Sequence, residues 1–384
     1  MGLSTYLALK EIWRNRGRFF LVALVIALIT LLVLFIAALG EGLGTNNRQY
    51  VANLDAQLVV FLDKSDFIIS SSRLDQSTLK AVRRVDGIVE AGPISTSSTA
   101  ILLDNGKVLK VSMLGVEPGR PGLPPVVEGR TYQTQLAKEA VIDRNVALRS
   151  DIKVGDEITI RSTQGTKDEF FTLKVVGLTE GQAYFFAPTI FVPPSTWERV
   201  RPKSEAEANK TIRDINVIAV KLEDPGQAEA MKTKIELLVS NVQAADIETT
   251  IQNIPGYSAQ QGTVQTQGVF TLLIGVLVIG GFFQIQILQK VPQIGVLKAI
   301  GSSNGVVGLA AVIQIMVVTA IGVGIGGLLT YVFSLFFPPT IPLVFNGNAS
   351  ALAIAALLFI GPAGGLVSVI YAVRIEPLKA LRLS

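Results

Sequence analysis

The residues that could carry chemistry in this chain are mainly carboxylates, and one group of them lies close together in the sequence. Asp143, Asp151, Asp156 and Glu157 could act as general acids or bases, or could bind a metal ion. Histidine and cysteine do not occur in the 384 residues, which excludes Ser-His-Asp and Cys-His pairs, thiolate sites and the usual zinc ligands. Because carboxylates in turns mostly face solvent, we predict no catalytic residue, no metal site and no cofactor in this chain.

The sequence also lacks the motif for nucleotide hydrolysis. A P-loop requires the string Gly-x-x-x-x-Gly-Lys-Ser/Thr after a strand, and no such string occurs. If the protein performs work, the energy must come from another subunit or from an ion gradient. The long apolar segments contain no ionisable residue that could relay protons.

A second stretch, QKVPQIGVLKAIGSS at 289–303, places two lysines, a proline and two glycines between long apolar runs. Pro292 suits the first turn of a helix and Gly301 suits the C′ position, so we predict a helix of two to three turns. Ile294, Leu297 and Ile300 are spaced to form one apolar side, with Gln293 and Lys298 on other sides. Such a helix could bind a partner, or it could simply lie at the lipid boundary.

The elements around this stretch are predicted to cross a membrane. The chain has a mean hydropathy of +0.48 and only 17% charged residues, which is too apolar for a soluble domain of this length. Four windows without charge are each long enough to cross a bilayer, namely 19–40, 268–288, 305–333 and 349–373. The first run is longer than a signal-peptide core, so we expect it to be retained as an anchor.

The distribution of charge predicts the orientation. The segments 1–18, 289–304 and 374–384 together carry nine basic and two acidic residues, whereas 41–267 has a net charge of −3. Short positive segments stay in the cytoplasm. We therefore expect both termini and 289–304 to be cytoplasmic, and the domain 41–267 and the loop 334–348 to lie outside. The basic pI of 9.2 reflects this topology, so we predict no nucleic-acid partner.

The segment 41–267 reads as a mixed α/β domain, so the fold class is α+β: a four-helix transmembrane domain with an inserted α/β domain. An α/β unit is predicted over about 46–120 and 206–262, with a helix at 74–85 capped by Asp75. A β-rich unit is predicted between them, over about 121–205. Its AYFFAP run, 183–188, should expose at least one aromatic side chain as a contact point, because three adjacent aromatics cannot all face inward from one strand.

Residues 1–18 are predicted to form an amphipathic helix on the inner membrane face. The apolar side of this helix would consist of Leu3, Tyr6, Leu7, Leu9 and Trp13. Arg14, Arg16 and Arg18 would contact lipid phosphates.

Small and polar residues within the spans predict contacts between helices. Glycines recur at helix-face spacing as the pairs Gly322 and Gly326, and Gly361 and Gly365, which would let backbones approach. Pro362 should kink the fourth span. Gln284 and Gln286 are candidates for hydrogen bonds between helices and, with Glu41, for substrate contacts. Glu41 could equally mark the outer lipid boundary.

Several of these segments resemble the permease family of the MacB and FtsX type: QIGVLKAIGSSNGVV, the opening ALKEIWRNRGRFFL and the ending AVRIEPLKALRLS. The order of one span, a large outer domain and three spans is similar as well. The resemblance implies a homodimer with two copies of a separate ABC ATPase, which binds ATP and Mg. It makes 289–304 the coupling helix that docks on the ATPase, through Gln293, Ile294, Gly295, Leu297, Lys298, Ile300 and Gly301. The family often has a glutamate where this chain has Gln293.

We therefore expect a permease subunit in the bacterial inner membrane that exports or extrudes a hydrophobic or amphipathic substrate and has no ATPase site of its own. The compact size is similar to that of haem-efflux permeases within this family. Membrane lipid and an outer adaptor protein are further expected partners. The alternative is a non-transporting transmitter of force or signal, which would activate a cell-wall enzyme outside the membrane.

Overall fold

The computed structural model describes residues 2–103, 106–205, 207, 214–338, 341 and 343–375. The chain divides into two compact units, which we call the membrane unit, Met1–Gly42 with Gln261–Ser384, and the sheet unit, Leu43–Gln260. The predicted tail at 374–384 lies outside the described residues beyond Ile375, and so do three positions of the predicted loop 334–348.

The described residues form eleven α-helices and ten strands. The helices are α1 (Leu3–Arg14), α2 (Arg16–Ala52), α3 (Gln76–Val82), α4 (Arg144–Ser150), α5 (Pro194–Val200), α6 (Ala228–Leu238), α7 (Ile247–Gln252), α8 (Tyr257–Gln289), α9 (Val291–Ala299), α10 (Asn304–Ser334) and α11 (Gly347–Arg374). The strands are β1 (Leu58–Leu62), β2 (Ile88–Leu102), β3 (Val108–Val116), β4 (Val126–Gly129), β5 (Glu139–Asp143), β6 (Glu157–Gln164), β7 (Lys167–Thr179), β8 (Thr189–Val192), β9 (Val217–Leu222) and β10 (Val242–Asp246).

Four helices, α2, α8, α10 and α11, are long and apolar enough to cross a membrane. Each contains one of the predicted spans, and α2 and α8 extend well beyond theirs. Large apolar side chains such as Leu277 and Leu352 are exposed on these helices, as expected for surfaces that contact lipid. Other apolar side chains, including Ile26, Phe283 and Ile315, form a buried core between the helices. α11 continues through Pro362, which lies inside it.

The N-terminal helix is shorter than predicted. α1 ends at Arg14, and Arg16 and Arg18 already belong to α2. Its buried side consists of the small residues Ser4 and Ala8, while Tyr6 and Trp13 are exposed. Tyr6, Leu9 and Trp13 therefore point away from the protein, because small residues on the opposite side allow the closer approach to α10.

The sheet unit is built on one ten-stranded sheet with the order β10-β1-β9-β2-β3-β8-β5-β7-β4, with β6 pairing with both β2 and β7. Because of this double pairing, β2, β3, β8, β5, β7 and β6 close a ring. IVEAGPIS and TAIL, which read as two strands in the sequence, form a single strand, β2, with an irregularity between Ile88 and Glu90. β2 pairs with β9 at one end and with β6 at the other, so the two predicted units share it.

Among the described residues the sheet unit has three buried cores, and two of them reflect these two regions of the sheet. Side chains from α3 and α6 pack on β1, β9 and β10, as with Leu79, Ile235 and Val220. A second core fills the ring of strands and includes Met113, Ile160 and Leu173. The predicted cap of α3 is present, since the Asp75 carboxylate accepts a hydrogen bond of 2.8 Å from Thr78 N. The sequence DNGK between β2 and β3 is typical of a hairpin turn, but Asp104 and Asn105 lie outside the described residues.

Candidate functional site

The four neighbouring carboxylates of the sheet unit lie in separate local settings, and Glu157 is exposed at the start of β6. Asp143 is buried and caps α4, accepting hydrogen bonds from Val146 N at 2.8 Å and Gln182 N at 3.2 Å. Asp151 occupies the C-cap of the same helix, and Asp156 accepts a hydrogen bond from Lys153 N. Within the described residues, no group of three or more acids is placed to hold a metal ion.

Asp143 allows a prediction about pH. Burial raises its pKa above the ordinary 3.8, against the opposing hydrogen bonds from Val146, Asn145 and Gln182. A carboxyl group whose pKa is higher in the folded than in the unfolded protein stabilises the fold at pH values below its ordinary pKa. This contribution is lost as the pH rises through the raised pKa. The stability of the wild type relative to Asp143→Asn should therefore be higher at a pH below 3.8 than at a pH well above it. Thermal unfolding of both proteins at the two pH values measures this, and a constant difference would contradict it.

The short helix α9 has the termini that the sequence suggested. Pro292 lies in its first turn, and Gly301, with φ of +102°, occupies C′. Gly301 N donates to Lys298 O at 3.0 Å and Ser302 N donates to Leu297 O at 3.1 Å. This pair of hydrogen bonds is the Schellman arrangement, which satisfies the last carbonyls of the helix and ends it sharply before α10.

The predicted apolar side of α9 is divided between two environments. Ile294 and Leu297 pack on Ile287, Val307 and Ala372 within the membrane unit. Ile300 is 79% exposed, and Val296, one turn earlier, is 44% exposed. Gln293 is also exposed and Gly295 is buried. A surface made of Gln293, Val296 and Ile300, which we call the α9 outer face, is thus the part of this helix open to a partner. Val296 was not selected from the sequence, although its i, i+4 spacing with Ile300 is the signal that could have indicated it.

Lys298 does not point away from the bundle, as a docking side chain would. Its Nζ donates hydrogen bonds to Val373 O at 2.6 Å and to Ile375 O at 3.0 Å, at the end of α11. The ammonium group therefore satisfies carbonyls that the helix leaves without partners and complements its negative end. Burial lowers the pKa of Lys298.

Lys298→Met should accordingly destabilise the membrane unit by about 1–3 kcal/mol, because the two carbonyls lose a charged donor. Thermal unfolding in detergent measures the change. Arg374→Met, which removes an exposed charge from the last turn of α11, is the control and should have little effect. Equal effects of the two substitutions would show that Lys298 does not cap α11.

The four glycines selected from the sequence lie at helix crossings. A Cβ atom on Gly322 would come within 2.6 Å of Ile26 Cβ on α2, and one on Gly326 within 2.5 Å of Thr30 Cβ. Gly361 faces Thr319, and Gly365 faces Ile315, so these two glycines allow α11 to approach α10.

A further crossing was missed in the sequence. A Cβ on Gly280 would come within 2.7 Å of Gly364 O, so α8 and α11 touch almost backbone to backbone. Gly280 has no partner glycine at i+4 spacing, and only the packing of two separate helices reveals it.

The three candidate substrate residues do not form one site. Glu41 is half-buried on α2, next to Gly40, which faces Val264 near the start of α8. Gln286 is buried towards the other end of α8. About twenty residues of α8 separate Val264 from Gln286, which corresponds to about 30 Å along the helix. Gln284 lies near the same end of α8 as Gln286 and has a buried Oε1 for which the described residues provide no hydrogen bond.

In the sheet unit, the aromatic run forms an exposed turn. Phe185 and Phe186 are about half-exposed, while Tyr184 is buried. Both phenylalanines have positive φ, at +50° and +62°, which costs of order 1–3 kcal/mol for residues of this kind. Their N–H groups donate to Asn47 O and Asn46 O on α2. The protein thus holds two aromatic rings outward in a strained turn.

Comparison with known proteins relates this arrangement to one family. Residues 19–238 match the MacB-like periplasmic core domain, and residues 267–377 match the FtsX-like permease C-terminal region. A protein of Staphylococcus haemolyticus named hemin transport system permease protein HrtB is 25% identical over 376 residues, which is 98% of each chain. An ABC transporter permease of Mycobacterium tuberculosis H37Rv is 22% identical over 358 residues, covering 92% of this chain and 93% of that one.

Among solved structures, the periplasmic region of MacB from Actinobacillus actinomycetemcomitans is similar, with 18% identity and a TM-score of 0.36. The matched region covers 56% of this chain and 97% of the MacB chain. The two family matches together span both the sheet unit and the membrane helices. The chain belongs to the family of ABC transporter permeases that combine a MacB-like periplasmic core domain with an FtsX-like permease region.

Proposed function

We propose that this chain is the membrane-spanning subunit of an exporter driven by a separate ATPase, with two copies of each subunit. ATP and Mg bind to the ATPase subunit. This chain provides the pathway for the substrate or transmits the mechanical force that expels it. Both termini and α9 lie in the cytoplasm and the sheet unit lies outside, in accordance with the basic residues that flank the spans.

The observation that supports ATPase coupling best is the α9 outer face. Val296 and Ile300 are apolar and exposed on a helix outside the four spans. Exposed apolar residues of this kind mark protein or membrane contacts. Ile294, Leu297 and Lys298 meanwhile join α9 to the membrane unit. A push on the outer face would therefore reach α8, α10 and α11 through packed side chains and a charged hydrogen bond.

Hemin is the first substrate to test, because the staphylococcal relative that covers 98% of this chain is named for hemin transport. This chain offers neither histidine nor cysteine to the iron. Recognition would depend on apolar and aromatic contact and on a carboxylate such as Glu41. The broader class is therefore flat or elongated amphipathic molecules.

The test is reconstitution of this chain with its ATPase in liposomes. We expect the two proteins to purify as a complex, and ATP hydrolysis to rise when hemin or another amphipathic cargo is added. Hydrolysis that responds instead only to a protein bound outside would replace export by signal transmission. Failure of any ATPase to bind would contradict the coupling proposal itself.

A further inference from the structure

The membrane unit contains a cavity to which the proposed function assigns no ligand. It has a volume of about 420 Å³ and is bordered by α1, α9, α10 and the ends of α8 and α11. Gln293 of the α9 outer face is among the residues that line it. Its walls are apolar where Leu7, Ile294 and Ala311 line it. A volume of this size lies within the range of sites that hold small molecules, and mixed apolar and polar walls are typical of them.

The charged side chains of the cavity are mainly cationic, beside the neutral amides of Asn15, Gln293 and Gln314. Lys10, Arg14 and Lys290 line it, together with one acid, Glu11. Glu11 is already committed, since it forms an ion pair with Lys290 and accepts a hydrogen bond of 2.6 Å from Gln314 Nε2. The charges of Glu11 and Lys290 therefore cancel within the cavity. The remaining formal charge is +2, from Lys10 and Arg14.

Lys10 and Arg14 are arranged to act together. They stand four residues apart on α1, so their Cβ atoms are about 6 Å from each other on one side of the helix. Both side chains are exposed, and both line the same cavity. Two cations at this separation can contact the oxygens of one phosphodiester group.

The depth of the cavity in the membrane follows from the adjoining side of α1. Tyr6, Leu9 and Trp13 are exposed there, and such residues lie at the boundary between headgroups and acyl chains. Lys10 is next to this side, since its Nζ donates a hydrogen bond of 3.2 Å to the Tyr6 hydroxyl. Lys10 and Arg14 are therefore at headgroup level. Basic pockets between membrane helices at this level bind the headgroups of anionic lipids.

We propose that this cavity is a binding site for an anionic phospholipid, with the headgroup phosphate between Lys10 and Arg14 and the glycerol and upper acyl chain against Leu7, Ile294 and Ala311. The lipid would fill the space between α1 and α9 and hold the two helices in place. The proposal shares the topology of the proposed function but does not depend on the ATPase or on the exported substrate.

The test uses the delipidated full chain alone, in detergent, with binding of phosphatidylglycerol measured by native mass spectrometry. We expect one tightly bound lipid per chain, bound at least about ten-fold more tightly than phosphatidylethanolamine. The double variant Lys10→Gln/Arg14→Gln should lose at least about ten-fold in affinity. The matched control, Arg16→Gln/Arg374→Gln, removes two exposed charges that do not line the cavity and should bind as the wild type does.

Ala311→Leu provides a second test that leaves all charges in place. It fills part of the cavity and should weaken phosphatidylglycerol binding even if the double charge variant fails to fold. Equal weakening in both charge variants, or equal binding of the two lipids, would overturn the proposal in favour of general attraction to a basic surface. Displacement of the lipid by equimolar inorganic phosphate would reduce the cavity to a simple anion site. Unchanged lipid binding combined with loss of ATPase binding would assign the cavity to the ATPase instead.

Discussion

Replacing Gly322 and Gly326 together by alanine should lower the free energy of unfolding of the membrane unit by about 2–6 kcal/mol, at 1–3 kcal/mol for each overpacked site. Both glycines lie where α10 crosses α2. The expected consequence is loss of the folded permease on extraction into detergent, before any effect on transport can be measured.

The reason lies in what each added methyl group would meet. At Gly322 it would lie 2.6 Å from Ile26 Cβ and 2.9 Å from Ala23 O, and at Gly326 it would lie 2.5 Å from Ala27 O. Backbone oxygens and Cβ atoms cannot move aside as the end of a flexible side chain can. The two helices would have to separate, which also disturbs the core that includes Ile26 and Ile315.

The same helix offers a matched control. Gly324 and Gly327 are also in α10, but a Cβ atom on either would have no neighbour within 4 Å. The double variant Gly324→Ala/Gly327→Ala should therefore unfold at the wild-type temperature. Fluorescence-detected gel filtration after heating compares the two pairs. Similar melting of both variants would show that the α2–α10 crossing does not depend on small residues.

The four spans and these glycines could be foreseen because membrane helices obey strong local rules. Charge-free runs of sufficient length must be helical in lipid. Two glycines four residues apart lie on the same side of a helix and indicate where another helix can approach. The termini of α9 were predictable for a similar reason. Pro292 and Gly301 favour particular backbone angles whatever their surroundings.

The direction in which individual α9 side chains point could not be foreseen. Spacing placed Ile294, Leu297 and Ile300 on one side, but a helix crossing a bundle end buries only part of such a side. The family resemblance assigned Lys298 to the ATPase contact, and only the position of the end of α11 shows that it caps that helix. In the same way, Glu11 became informative only once Lys290 and Gln314 were found beside it.

These directions decide which substitution tests ATPase coupling. Leu297→Glu would place a carboxylate among Ile287, Val307 and Ala372, and would damage the permease itself. A loss of ATPase binding in that variant would carry no information about a docking surface. A substitution on the α9 outer face avoids this problem, because Ile300 is 79% exposed.

Ile300→Glu should leave the permease folded and weaken its complex with the ATPase by about 100-fold, since a carboxylate would replace an apolar anchor at the centre of the contact. Val296→Glu should act in the same direction. The control is Leu136→Glu, because Leu136 is equally exposed at 79% but belongs to the sheet unit. Co-purification and ATP hydrolysis of the complex give the result, with melting temperature as the check on folding. If Ile300→Glu retains the ATPase as fully as Leu136→Glu does, α9 is an interfacial helix and the force must enter the membrane unit elsewhere.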